Sequence, residues 1–89
     1  MNYNYKPKSK PQLLFKELEN GAVIYEPEKE VCHSLNASSA YIWSLCDGEN
    51  TIIKIISQIK EDFSQFKIKP EEAVKTAIHK FSSLNLLVE

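Results

Sequence analysis

In the stretch VCHSLNASSAYIW, residues 31–43, a strand-like run passes into a helix-like run with no loop between them. Val31, His33 and Leu35 alternate with Cys32 and Ser34, which is the two-residue period of an extended strand. After Asn36 the spacing changes. Ile42, Leu45 and Cys46 fall at i, i+3 and i+4, with Tyr41 and Trp43 beside them. Asn36 suits the boundary, because an Asn side chain can accept from a free amide in the first helical turn. Any fold for this chain must accommodate a strand that turns straight into a helix.

The segments on either side suggest what surrounds that junction. Residues 12–18 and 22–25 flank Asn20-Gly21, a hairpin signal because a tight primed turn needs positive φ at its central residues. A two-residue loop there pairs Leu18 with Val23 and Lys16 with Tyr25. It puts Leu14, Leu18, Val23 and Tyr25 on one face, taken as the core side, and Leu13, Phe15 and Ile24 on the other. Residues 26–30, EPEKE, form a charged turn before the third strand. Asp47-Gly48 is expected to end the first helix, with glycine in the left-handed region. A second helix is predicted from Thr51, its N-cap, with Ile52, Ile55, Ile56, Ile59 and Phe63 at helical period. A third opens at Pro70, favoured at the first helical position, with Glu71 and Glu72 complementing the helix dipole. Its stripe is Val74, Ala77, Ile78, Phe81 and Leu84, Asn85 ends it, and LLV closes the chain. The order is three strands, then three helices: an α+β, winged-helix-turn-helix-like domain with a three-stranded antiparallel sheet. Residues 1–11 are polar and rich in Lys and Pro, and read as a flexible tail. The domain is expected over residues 12–89.

Composition narrows the function. With 89 residues, 43% of them hydrophobic, the chain can build one small core with little room to enclose a substrate as well. Eleven basic against 12 acidic residues give a net charge of -1, without the positive field of a typical nucleic-acid binder. The apolar runs are far too short for a membrane span, and the N-terminus lacks the apolar region of a secretory signal, so a cytoplasmic protein is expected. Cys32 and Cys46 read as structural thiols, since free cysteine is among the most buried residue types. No nucleophile set, Gly-rich phosphate loop or cofactor motif stands out, so no enzyme and no cofactor are expected. Cys32, His33, Cys46 and His79 lack metal-ligand spacing, and Cys32 and His33 should point to opposite faces. No metal site is expected.

What remains is an edge. Sequential hairpins put the strands in order 1-2-3, leaving the first and third exposed. Edges are usually guarded by lysine, proline or bulges. The first strand carries Lys16 and Glu17 and follows Pro11, whereas Val31, Cys32, His33, Ser34 and Leu35 carry no proline and no formal charge if His33 is neutral. Such an edge can accept an extended peptide as a further strand. The third helix offers a wall. Ala73, Ala77 and Leu84 widen its stripe to one side, with Lys80 beyond, whereas Lys75, His79 and Ser82 occupy the opposite flank. Small residues there fit a shallow groove, or simply close helix packing.

The ordered set Leu35-Asn36, Ile42-Trp43, Leu45-Cys46-Asp47-Gly48 and Thr51, followed by Pro70-Glu71-Glu72 and Leu84-Asn85-Leu86-Leu87, resembles the PqqD family over roughly residues 12–88. That family is similar to the peptide-recognition domains of ribosomally made, post-translationally modified peptides. The resemblance implies a three-strand, three-helix winged-helix fold. It implies that a precursor's leader peptide is bound as a strand beside Val31, Cys32, His33, Ser34 and Leu35. The wall would be Ala73, Val74, Ala77, Ile78 and Phe81, with Lys80 alongside. It also implies delivery to a modifying enzyme, such as a radical-SAM enzyme, a protease or a cyclase. Two positions depart from the family pattern: Asn85 where glycine is common, and Lys69 where a polar N-cap is common. The alternative is a winged-helix DNA-binding regulator using the third helix, against which Glu71 and Glu72 would face phosphates badly. A third reading is an obligate subunit that only stabilises an enzyme.

Overall fold

The computed structural model describes residues 2–64 and 69–88. Five strands and three helices run in the order β1 (Lys8–Ser9), β2 (Leu14–Leu18), β3 (Gly21–Glu26), β4 (Val31–Asn36), α1 (Ala37–Ser44), α2 (Ile52–Asp62), α3 (Pro70–Ser83) and β5 (Leu87–Val88). Strands β2, β3 and β4 form a three-stranded antiparallel sheet in sequential order, followed by the three helices. This is the α+β architecture expected from the sequence, and β4 is its third strand.

The strand-to-helix junction is made as its residues dictate. Asn36 is the last residue of β4, opposite Gly21, and also the N-cap of α1. Its Oδ1 accepts from the Ser39 amide at 2.8 Å and from the Ser38 hydroxyl at 3.1 Å. Thr51 caps α2 in the same manner, accepting from the Lys54 amide at 3.2 Å. Pro70 opens α3, and Lys69 before it makes no side-chain cap bond. At the far end Asn85 takes φ +60°. The Leu86 amide reaches back to the Phe81 carbonyl and the Asn85 amide to that of Ser82. This is a Schellman closure with Asn in the place glycine usually holds.

The expected core face of the first hairpin is reversed. Leu14 and Leu18 are 58% and 51% exposed, while Ala22 and Ile24 are buried. The reason lies across the sheet. Leu35 must turn inward beneath α1, and β3 pairs Ala22 with Leu35 and Ile24 with His33, so Ala22 and Ile24 share that inner face. The hairpin register also differs by two positions. Lys16 pairs with Val23 and Leu18 with Gly21, leaving Glu19-Asn20 as the loop. Gly21 is therefore a strand residue rather than a turn residue. The first helix ends at Ser44, so Gly48, at φ +81°, lies in the following loop instead of capping it.

The expected loose tail is instead a strap. Strand β1 pairs antiparallel with β5, setting Lys8 opposite Val88 and Ser9 opposite Leu87. The amides of Ile52 and Ile53, which open α2 and have no partner within the helix, donate to the carbonyls of Tyr5 and Tyr3 at 2.9 and 3.1 Å. The Gly48 amide donates to Pro7, and Pro7 itself is fully buried. Proline brings no N–H into the interior, so its burial leaves no donor unsatisfied. The Tyr3 hydroxyl donates to Glu71 at the start of α3.

One core joins these parts. Ile42 and Trp43 of α1, Ile52, Ile55 and Ile59 of α2, and Val74, Ile78 and Phe81 of α3 meet Ala22, Ile24 and Leu35 of the sheet. Trp43 meets Phe81 edge-on, with ring centroids 5.0 Å apart at 76°, a favoured aromatic geometry. Cys46 is buried and donates to the Ile42 carbonyl, and its thiol is pushed up to about 12, chiefly by burial. Cys32, by contrast, is exposed, and both are free thiols.

Gly21 gives a direct test of this packing. A Cβ there would lie 2.0 Å from the Leu35 carbonyl oxygen, and φ is +156°. Gly21→Ala should therefore destabilise the protein by about 1–3 kcal/mol, read as a lowered urea midpoint. A midpoint equal to that of the wild type would show that β3 and β4 do not approach so closely.

Candidate functional site

The hairpin loop determines which backbone groups of β4 are free. With Glu19-Asn20 as a two-residue loop, the flanking pair Leu18 and Gly21 exchanges both hydrogen bonds. Along an antiparallel strand the bonding direction then alternates. Ala22, Ile24 and Glu26 bond toward β4, to Leu35, His33 and Val31. The N–H and C=O groups of Cys32 and Ser34 consequently point away from the sheet. A contact on the open side agrees: the Lys80 ammonium of α3 donates to the Ser34 carbonyl at 3.3 Å. The edge expected from the sequence is present, but Lys80 reaches over it.

Beside this contact an open cleft of about 480 Å³ lies between the start of α1 and the first half of α3. Asn36, Ser38 and Ser39 line one side, and Lys69, Glu72, Ala73 and Thr76 the other. Thr76 lines the cleft with Asn36, and Lys80, one turn further along α3, bonds Ser34. The cleft is open at the N-terminal end of α3 and bridged one turn further on.

The residues read from the sequence are thus divided. On β4, Val31, Cys32 and Ser34 are exposed, His33 is half-buried, and Leu35 is in the core. On α3, Ala73 lines the cleft, and Lys80 lies beyond it against Ser34. Val74, Ala77, Ile78 and Phe81, expected as its wall, are all interior, with Ala77 only 2% exposed. The sheet and the other two helices cover the whole apolar stripe. The cleft therefore takes the next flank outward, Lys69, Glu72, Ala73 and Thr76, at helical spacing; Lys80 follows one turn beyond it. The one-sided widening toward Lys80 pointed to this flank, and Lys69, Glu72 and Thr76 are cleft-lining residues that the sequence reading did not place in the site.

His33 points inward, where its Nε2 lies 2.5 Å from Oε2 of the buried Glu26. A carboxylate only accepts, so Nε2 carries the proton. This bond holds the Glu26 carboxyl below its ordinary value of 4.5, against the opposing effect of burial, and the charge of Lys29, at 3.8 Å, adds to it. The pair ties the middle of β4 to the end of β3. Among the described residues no three His, Cys, Asp or Glu side chains come together as a metal site, and no helix is long and apolar enough to cross a membrane.

The family described as coenzyme PQQ synthesis protein D (PqqD) matches this chain over residues 21–87. No curated protein matches it. Among solved structures, TbiB1 in complex with the TbiA(beta) leader peptide is similar at a TM-score of 0.70 and 14% identity, over 90% of this chain and 93% of that one. The likeness to TbiB1 is one of fold.

The Glu26–His33 pair makes an acid-dependent contribution to stability. Because the folded carboxyl titrates below 4.5, the contribution is present above that value and is lost as pH falls through the lowered one. Glu26→Gln should be less stable than the wild type at pH 7 and should lose less on acidification to about pH 3. Urea unfolding at both pH values reads this, and parallel losses in the two proteins would remove Glu26 from the effect.

Proposed function

This chain belongs to the PqqD family, and from that premise we propose that it binds the leader segment of a ribosomally synthesised precursor peptide and presents it to a modifying enzyme. The leader adds as a further strand along β4. The observation that carries the reading is the outward row of backbone groups at Cys32 and Ser34 beside an open cleft. The similarly folded TbiB1 was solved in complex with a leader peptide, which supports the same use of the fold here.

The site offers what such a task needs. Main-chain bonds accept any sequence, and side chains in the cleft supply selectivity. Each main-chain bond is worth about 0.5–1.5 kcal/mol net. A few of them, less the cost of ordering a flexible leader, correspond to affinity on the order of micromolar. The protein acts as a non-catalytic carrier. The chemistry belongs to the partner, a radical-SAM enzyme, a leader protease or a cyclase, working in the cytoplasm where the precursor is made.

The alternation along β4 sets the test. Proline at Cys32 or Ser34 removes an outward N–H. It should weaken a fluorescent leader peptide at least roughly two- to tenfold while circular dichroism stays native. Proline at His33 removes a bond to β3 and should unfold the sheet. Thr76→Trp, on the exposed flank of α3, should fill the cleft and weaken binding without unfolding. If the folded variants at Cys32 and Ser34 bind the leader as the wild type does, the leader does not add to β4.

A further inference from the structure

Resting on strand addition at β4, we propose that Lys80 guards the empty edge and, once displaced, selects a leader with an acidic side chain beside Ser34. Its ammonium donates to the outward Ser34 carbonyl. A lysine over an open edge is a common protection against pairing with the wrong strand. This guard sits on α3, not on the strand it protects, so it can swing away without disturbing the sheet.

An added strand brings its own N–H to the Ser34 carbonyl. Lys80 then gives up that bond at the exposed rim of the site, where its ammonium can meet a charge on the peptide. The described residues supply no carboxylate in its place. Lys80 forms no ion pair with a carboxylate among the described residues. Its neighbours one turn away on α3 are Thr76, Ala77, Ser83 and Leu84. Glu26, on the inner face, is already engaged by His33 and Lys29. The partner for Lys80 is then a carboxylate of the peptide.

Strand geometry places it. The peptide residue opposite Ser34 turns its side chain to the outer face with Ser34, and its two neighbours turn theirs inward with His33 and Leu35, toward α3. One of those two neighbours carries the Asp or Glu. The position of Lys80 in the last turn of α3 also suits the helix dipole, but that role needs no contact with Ser34 and imposes no charge on the peptide.

A random dodecapeptide library in mRNA display, selected on wild type, Lys80→Glu and Lys80→Gln, tests this without needing the natural precursor. Each protein is checked for native Trp43 fluorescence, and peptides are kept only if Ser34→Pro weakens their binding at least about twofold. Wild-type peptides should share an Asp or Glu at one fixed position. Lys80→Glu should select Lys or Arg there, and Lys80→Gln no charge. Should Lys80→Glu misfold, Lys80→Gln still decides the matter. Reversing the peptide charge should weaken wild-type binding about three- to tenfold, and less at high salt. Ser34-dependent peptides with no acidic position, or one unchanged by Lys80→Gln, would overturn the role of Lys80 and leave strand addition standing. If no peptide depends on Ser34, strand addition fails and the role of Lys80 falls with it.

Discussion

Asn36 holds two structures at once. Its backbone closes the β3–β4 ladder opposite Gly21, and its side chain opens α1 by accepting from the Ser39 amide. With no residue between, the direction of α1 follows from that of β4. The helix therefore covers the face into which Leu35 turns, and Trp43 is carried to where it meets Phe81 edge-on. That contact seats α3, and the seat of α3 brings Lys80 across to Ser34. The cleft is thus a downstream product of one cap. Its width depends on an angle that no loop is free to relax.

Much of this was legible because it rests on local chemistry. The caps at Asn36 and Thr51, Pro70 at the start of α3 and Asn85 at its end all follow from what those side chains do to nearby backbone. The hairpin face was not, because both faces are apolar: Leu14, Leu18, Val23 and Tyr25 against Leu13, Phe15 and Ile24. Alternation fixes which residues share a face but not which face is covered. That is decided by α1, through Leu35. Asn20-Gly21 misled for a related reason. Gly21 answers a steric need, the close approach of the Leu35 carbonyl, and not the needs of the turn. The strap escaped notice because it is held by backbone bonds and one buried proline, which leave no hydrophobic period.

The candidate site shows the same division. The edge on β4 could be read from strand order alone. The wall could not, since helical periodicity identifies an apolar stripe without saying whether anything is left uncovered. Here the stripe is consumed by the core, and the cleft is lined by Lys69, Glu72 and Thr76 around a single half-buried Ala73. Such a lining offers polar and charged groups with little apolar surface.

The seam between β1 and β5 has a kinetic meaning. It joins residues almost a full chain length apart, while the hairpins and helices join residues close in sequence. Loop-closure entropy makes such long-range contacts unfavourable until the segments between them are already folded. The two-residue strands of the seam offer few bonds in return. The seam should therefore form late, once the helices it straps are in place. Because β4 lies in the other sheet, its edge does not wait on the seam to be built.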